Sequence, residues 1–264
     1  MISIDKQILF LLTKASTITI QRFIEIYTAR GYLAQSIRNV VSNLKREGYI
    51  EAVARSCYSI TEHGRSTLTS IASKGFHYGE KWDGEWQLVT FEIPEVERAK
   101  RYRLVQSLLN LGFAELHKNT YISPWNYTEE IHRLSERLEL GAYLTQMKGI
   151  FHHFKIDAAL AARMWKLDTI RTAHTEKWAW FQDSFLPSAR LYKKEKNALQ
   201  LFILYLELGE KMGELTILDP MLPAELLPGD WRGQEIMSEF YAEFSTLHQD
   251  VPKENYYYEL MTSD

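Results

Sequence analysis

The chain has 264 residues, 45% of them hydrophobic and 25% charged, with a formal net charge of -3; it is long enough to bury two or three cores and lacks the polar bias of a disordered chain. Its longest apolar run, Ile8 to Leu12, is far too short to cross a bilayer, and no basic segment leading into a long apolar stretch marks a secretory leader, so a cytoplasmic protein without a membrane partner is expected. A single cysteine, Cys57, excludes an intrachain disulfide and a multi-cysteine zinc site, and suits a reducing compartment. In chain order, apolar spacing predicts a first helix over Ser3–Lys14 with Ile4, Ile8, Leu11 and Leu12 inward. A second follows over Thr19–Arg30, with Thr19 as N-cap, Gly31 as stop, and Ile20, Phe23, Ile24 and Tyr27 inward. The third, Ala34–Glu47, places Ile37, Val40, Val41 and Leu44 on one face and ends at Gly48.

Two short strands, Tyr49–Val53 and Cys57–Thr61, flank Ala54-Arg55-Ser56, and a helix over 62–73 closes the module. That order is a winged helix-turn-helix with Ala34–Glu47 as recognition helix. Its outward residues are Gln35, Ser36, Arg38, Asn39, Ser42, Lys45 and Arg46, which offer the guanidinium, amide and hydroxyl groups that read base edges and clamp phosphates. Arg38 is the candidate for base readout, Lys45 and Arg46 for phosphate, and Arg55 for a wing contact. Charge agrees. Residues 1–75 hold ten Lys/Arg against five Asp/Glu, whereas the remainder holds 21 against 29, a basic head on an acidic body.

After a linker over 74–84, the pattern reads strand (Gln87–Ile93), helix (Val96–Leu111), strand pair (Phe113–Leu116, Thr120–Ser123), helix and strand (Tyr143–Phe151). The second of these helices opens on a capping box formed by Asn126 and Glu129. The order β-α-β-β-α-β is ferredoxin-like. From Asp157 onward only helices are expected: 157–174, a long one over 187–212, a proline-rich connector 219–231, a last helix over 234–248, and a Tyr256-Tyr257-Tyr258 tail laid on the surface. The fold class is therefore α+β multidomain: a winged helix-turn-helix domain over 1–75, a ferredoxin-like domain over 76–152 and an all-helical domain over 153–264.

Three stretches stand out beyond periodicity. Ser36-Ile37-Arg38 leads to Leu44 and Glu47-Gly48. Trp82-Asp83-Gly84-Glu85-Trp86 runs into Phe91-Glu92-Ile93-Pro94-Glu95, Arg98, Arg101, Leu111-Gly112-Phe113 and Tyr121-Ile122-Ser123-Pro124. The third is Asp219-Pro220-Met221-Leu222-Pro223 with Leu226-Leu227-Pro228 and Trp231. Together they resemble the PaaX family of bacterial repressors of phenylacetate catabolism, the first being similar to that family's recognition helix. The resemblance implies a middle domain like the small CRISPR-associated ferredoxin-fold nucleases and a homodimer on a palindromic double-stranded DNA operator. It also implies release by an aryl-coenzyme A thioester such as phenylacetyl-coenzyme A. The family's wing is richer in Arg and Gly than residues 52–58, which offer only Arg55.

For such an effector, Arg163, Lys166 and Arg171 beside Trp165 are candidate phosphate holders, as is the Lys193-Lys194-Lys196 run. Trp82, Trp86 and Trp231 are expected to pack between domains. His152-His153, adjacent on a strand, point to opposite faces and do not share a metal ion. No cofactor and no catalytic residue is assigned, since no GxSxG, HExxH, P-loop or GxGxxG occurs. The enzymatic alternative is a magnesium-dependent nuclease using Glu92 and Glu95, or a thioesterase-like body on a DNA-targeting head. A plain protein scaffold is the third reading.

Overall fold

The computed structural model describes residues 3–65 and 77–262, which divide into two compact units. One is drawn from residues within 1–72, 176–214 and 237–264; the other from 73–175 and 215–236. Residues 66–73 of the expected closing helix and 74–76 of the expected linker lie outside the described residues.

The first unit opens with α1 (Ile4–Lys14), β1 (Ile18–Thr19), α2 (Ile20–Ala29), α3 (Ala34–Arg46), β2 (Ile50–Ala54) and β3 (Cys57–Ile60). The strands form a small antiparallel sheet in the order β1-β3-β2, the arrangement of a winged helix-turn-helix. Strand β1 is absent from the sequence reading because two residues carry no alternation; pairing of Ile18 with Tyr58 and Thr19 with Cys57 makes it a strand. Ile8, Leu11, Leu12, Phe23, Ile26, Tyr27, Ile37, Val41 and Leu44 are buried, so the inward faces of all three helices meet in one core. Each such side chain contributes about 1.5–3 kcal/mol. Ile4, Ile20, Ile24 and Val40, also expected inward, sit half-buried at its rim.

The unit's helical part comprises the end of α7 (Leu167–Trp180), a π-helical turn (Phe181–Phe185), α8 (Leu186–Glu195), most of α9 (Ala198–Leu218), most of α10 (Gly233–Thr246) and α11 (Tyr256–Thr262). The expected single helix over 187–212 is broken where Lys196 adopts a left-handed φ of 53°. The carboxy-terminal tail is likewise a correction. It is a helix that buries Tyr257, Leu260 and Met261 and is not draped on the surface.

In the second unit β4 (Trp86–Phe91), α4 (Arg98–Asn110), β5 (Ala114–His117), β6 (Thr120–Ser123), α5 (Thr128–Leu138) and β7 (Leu144–Gly149) build an antiparallel sheet ordered β5-β6-β4-β7, the ferredoxin-like arrangement. Both sheet faces are apolar because both are covered. Val89 and Phe91 point to α4 and α5, packing with Leu104, Leu108, Ile131 and Leu134. Trp86 and Ile122 point the other way, onto α6 (Ala158–Met164), Trp165, Ile170, Leu222 and Leu226.

Three expectations in this unit are corrected. The Asn126–Glu129 capping box does not form: Asn126 Oδ1 accepts from the Thr128 amide at 3.1 Å and the buried Gln87 Oε1 takes the Tyr127 amide at 2.5 Å, leaving Glu129 exposed. The helix expected over 157–174 stops at Met164, since Lys166 takes a φ of 53° and α7 starts afresh. His152 and His153 lie beyond the end of β7, exposed in a loop.

Candidate nucleic-acid interface

Helix α3 sits on the head's core by Ile37, Val41 and Leu44, which leaves its opposite side free to be read. Gln35, Ser36, Arg38, Asn39, Ser42, Lys45 and Arg46 lie on that side, all of them exposed. They occupy one polar surface about three turns long. Gln35 Nε2 donates to Asn39 Oδ1 at 3.0 Å, so two amides one turn apart are already oriented relative to each other. Arg46 approaches Glu47 at 4.0 Å, while Arg38, Lys45 and Arg55 make no ion pair with any described residue. Asn43 is exposed beside Ser42 and is a further candidate that the sequence reading lacks; the unbroken polar pair Ser42-Asn43 was the available signal.

Local chemistry fixes where this helix starts and stops. The turn from α2 closes through the Tyr32 amide on the Tyr27 carbonyl at 2.9 Å. At the far end Gly48 takes φ 76°, its amide donating to Lys45 O at 3.1 Å and that of Tyr49 to Leu44 O at 3.0 Å. This turn delivers the chain into β2. The wing is then a tight hairpin with Ala54 opposite Cys57, and Ser56 in the left-handed region. Arg55 is exposed at its tip. The Ile20 amide donates to Ser56 O at 2.9 Å, which ties the wing's turn to the start of α2. Cys57 is a free, half-buried thiol in β3.

Within the same unit α2 is fastened from behind. Thr19 caps it, accepting from the Arg22 amide at 3.3 Å. A hydrogen bond to Glu25 holds the Arg22 guanidinium above its ordinary pKa, and that guanidinium lies over the Tyr256 ring at 4.7 Å. Arg30 reaches Gln7 Oε1 on α1 and Glu210 on α9, each at 2.7 Å. None of these tethers touches the polar side of α3.

The effector candidates lie in the second unit with different surroundings. Trp165 is buried, stacked on Trp86 at 6.1 Å, and donates its indole N–H to Gly112 O at 2.8 Å. Arg171 makes a two-pronged pair with Asp230 and lies 5.9 Å from the Trp231 ring. Arg163 and Lys166 are exposed. In the run from Lys193 to Lys196, which belongs to the first unit, Lys193 bonds Glu243 at 2.9 Å and Asp250 at 3.3 Å. Trp82 meets Trp86 edge-on at 5.0 Å, and Glu95 pairs with Arg101 at 3.0 Å.

A buried polar cluster has no counterpart in the sequence reading. Asp219 accepts from the Tyr78 hydroxyl at 2.5 Å and the Met221 amide at 2.7 Å, and lies 2.8 Å from His174 Nε2. It fastens the connector to α7, helped by the Trp125 indole, which donates to Met221 O at 2.9 Å. His174 and Asp219 are 45 residues apart and neither stands in a recognisable motif, so no local signal announced them.

Two family models match the chain. Residues 79–161 match the model of the PaaX protein central Cas2-like domain, and residues 165–254 that of the PaaX-like protein C-terminal domain. The chain is 26% identical over 214 residues to the transcriptional repressor PaaX of Escherichia coli strain K12, a match covering 77% of this chain and 66% of that protein, just under two thirds of its length. Among solved structures, the uncharacterized protein Rv0674 from Mycobacterium tuberculosis shares the fold, with a TM-score of 0.57 at 16% identity over 92% of this chain and 94% of the other. With both models matched in order along most of its length, the chain belongs to the PaaX family.

Proposed function

We propose that this chain is a cytoplasmic, ligand-responsive transcriptional repressor that grips a palindromic duplex operator as a homodimer. One observation carries the DNA half of the reading: the side of α3 from Gln35 to Arg46 is open to solvent and cationic, and its own fold makes almost no use of it. Residues 1–75 then bind DNA and residues 153–264 dimerise and sense, with the two recognition helices spaced for half-sites about 34–36 Å apart. The E. coli relative's description as a transcriptional repressor supports the same reading.

In this proposal an aryl-coenzyme A thioester such as phenylacetyl-coenzyme A releases the operator. Arg163, Lys166 and Arg171 beside Trp165 are the proposed effector residues; Arg171 exchanges Asp230 for a phosphate when it engages. To carry the population from almost all bound to almost all released, the thioester must favour the released form by about 5.5 kcal/mol.

The test is fluorescence anisotropy on duplexes from the gene's own upstream region and on scrambled duplexes, across a salt series. The expected result is tighter binding to the upstream duplex, weakened steeply by salt, and its loss on adding phenylacetyl-coenzyme A but not phenylacetate. Affinity indifferent to both sequence and salt overturns the DNA reading. Complexes unaffected by saturating thioester overturn the inducer alone. Magnesium-dependent cleavage of the duplex, abolished by Glu92→Ala, would favour an enzymatic body instead.

A further inference from the structure

Helix α4 begins Arg98-Ala99-Lys100-Arg101-Tyr102-Arg103, an unusual density of cations in the acidic part of the chain. Two of these charges are already neutralised: Lys100 pairs with Glu97 at 2.9 Å and Glu139 at 3.1 Å, and Arg101 with Glu95 at 3.0 Å. Arg103 is not, and neither is Arg137 across from it on α5; neither has an ion pair or hydrogen bond to any described residue. Both line a cleft of about 380 Å³ between the two helices.

The walls of that cleft are chemically divided. Tyr102, Arg103, Gln106 and Ser107 come from one face of α4, and Leu134, Arg137 and Leu138 from one face of α5. Leu134 and Leu138 are buried members of the sheet-and-helix core and form an apolar floor. Arg103, Arg137, Gln106 and Ser107 share the lining with it, as does the exposed Tyr102.

We propose that this cleft binds a phosphomonoester carrying a small aromatic or alkyl body. The volume is that of a small-molecule site. Two like charges lining one cleft without a counter-ion disfavour each other, and an anion placed between them turns repulsion into attraction. A phosphate dianion offers three oxygens, enough to accept from both guanidiniums and from Ser107 or Gln106 together, where a carboxylate has two. The apolar floor decides between a small ligand and a nucleic-acid backbone, because sugar-phosphate presents nothing that gains from covering two leucines. The body of the ligand takes that place, beside Tyr102.

The test is calorimetric titration of the full chain with phenyl phosphate, inorganic phosphate and phenylacetate, with amide-resonance shifts to locate the site. Single-site binding of phenyl phosphate is expected, about tenfold tighter than either control, with shifts confined to α4 and α5. Arg103→Gln and Arg137→Gln, both at exposed positions, should each weaken it about tenfold without moving the melting temperature. Tyr102→Ala should weaken phenyl phosphate but not inorganic phosphate. No saturable binding, equal binding of phenylacetate, or affinity retained in the double arginine variant overturns the proposal. So does a double variant that loses duplex affinity while phenyl phosphate never binds, since the arginines then belong to a nucleic-acid surface. None of these outcomes depends on whether α3 reads an operator.

Discussion

Arg30 and Glu210 form an ion pair at 2.7 Å with side chains only 7% and 15% exposed, joining the helix that precedes the recognition helix to the long helix α9 within one unit. Burial raises the Glu210 pKa, and Arg30 only partly opposes it. Removing Arg30 therefore strands a carboxylate that already resists ionisation. Arg30→Met should cost about 3–5 kcal/mol near neutral pH, and more than Glu210→Gln. The sign of the pH dependence follows from the raised folded-state pKa. An acid whose pKa is higher in the folded state binds more protons folded than unfolded, so its contribution falls as pH rises from the unfolded value through the folded one. The Arg30→Met deficit should thus shrink on acidification, as Glu210 takes a proton. Urea denaturation of the variant and wild type at acidic and neutral pH measures this; a constant deficit would show that Glu210 stays ionised.

The second prediction concerns Asp219, which is fully buried and serves Tyr78, Met221 and His174 at once. Tyr78→Phe removes one donor and leaves the Met221 and His174 contacts in place, at a cost of about 1.5–3 kcal/mol for a hydrogen bond to a charged group. Asp219→Ala takes the carboxylate away from the Met221 amide, the Tyr78 hydroxyl and the imidazole together, and should cost more than Tyr78→Phe. Thermal melts of the two variants rank them. The reverse order would mean that the connector is held by Leu222 and Leu226 rather than by its carboxylate.

What the sequence disclosed and what it hid divide along physical lines. Periodic features were legible: Ile37, Val41 and Leu44 recur at helical spacing, and the polar side of α3 is what remains. The ferredoxin-like order was legible because each strand is bounded by a proline, a glycine or a turn. Breaks at Lys166 and Lys196 were not, because lysine in the left-handed region carries no compositional mark. Partners distant in sequence were equally hidden: Asp219 with His174, Arg30 with Glu210, and the two arginines of the α4–α5 cleft. A single chain shows which residues are polar, but not which polar residues meet.

The third prediction separates two glycines around the recognition helix. Gly48 has φ 76°, and a Cβ added there would meet nothing within 4 Å, so Gly48→Ala costs only backbone strain, about 1–2 kcal/mol. Gly64 has an ordinary backbone, but an added Cβ would fall 2.3 Å from the Tyr49 carbonyl oxygen. A backbone atom cannot rotate away. Gly64→Ala should therefore displace the helix that opens at 62 from Tyr49 and cost at least about 1–3 kcal/mol. Hydrogen exchange at the Thr61 and Gly64 amides distinguishes them: protection should fall in Gly64→Ala and persist in Gly48→Ala.

Arg38 and Arg55 give the last prediction, because both are exposed and unpaired among the described residues yet stand on different elements. Arg38 is exposed on α3, where a guanidinium reaches base edges; Arg55 is at the tip of the wing, where backbone or minor-groove contact is the available chemistry. Arg38→Ala should cost about 1–3 kcal/mol on the operator and far less on a scrambled duplex, because a two-pronged base contact is lost. Arg55→Ala should weaken both duplexes alike and lower the slope of log affinity against log salt by about one, the signature of one phosphate contact. Titrating each variant on both duplexes over a salt series reads the two quantities together. Equal losses for Arg38→Ala on operator and scrambled DNA would reassign it to phosphate, and would leave Gln35, Asn39 and Asn43 as the base-reading groups on α3.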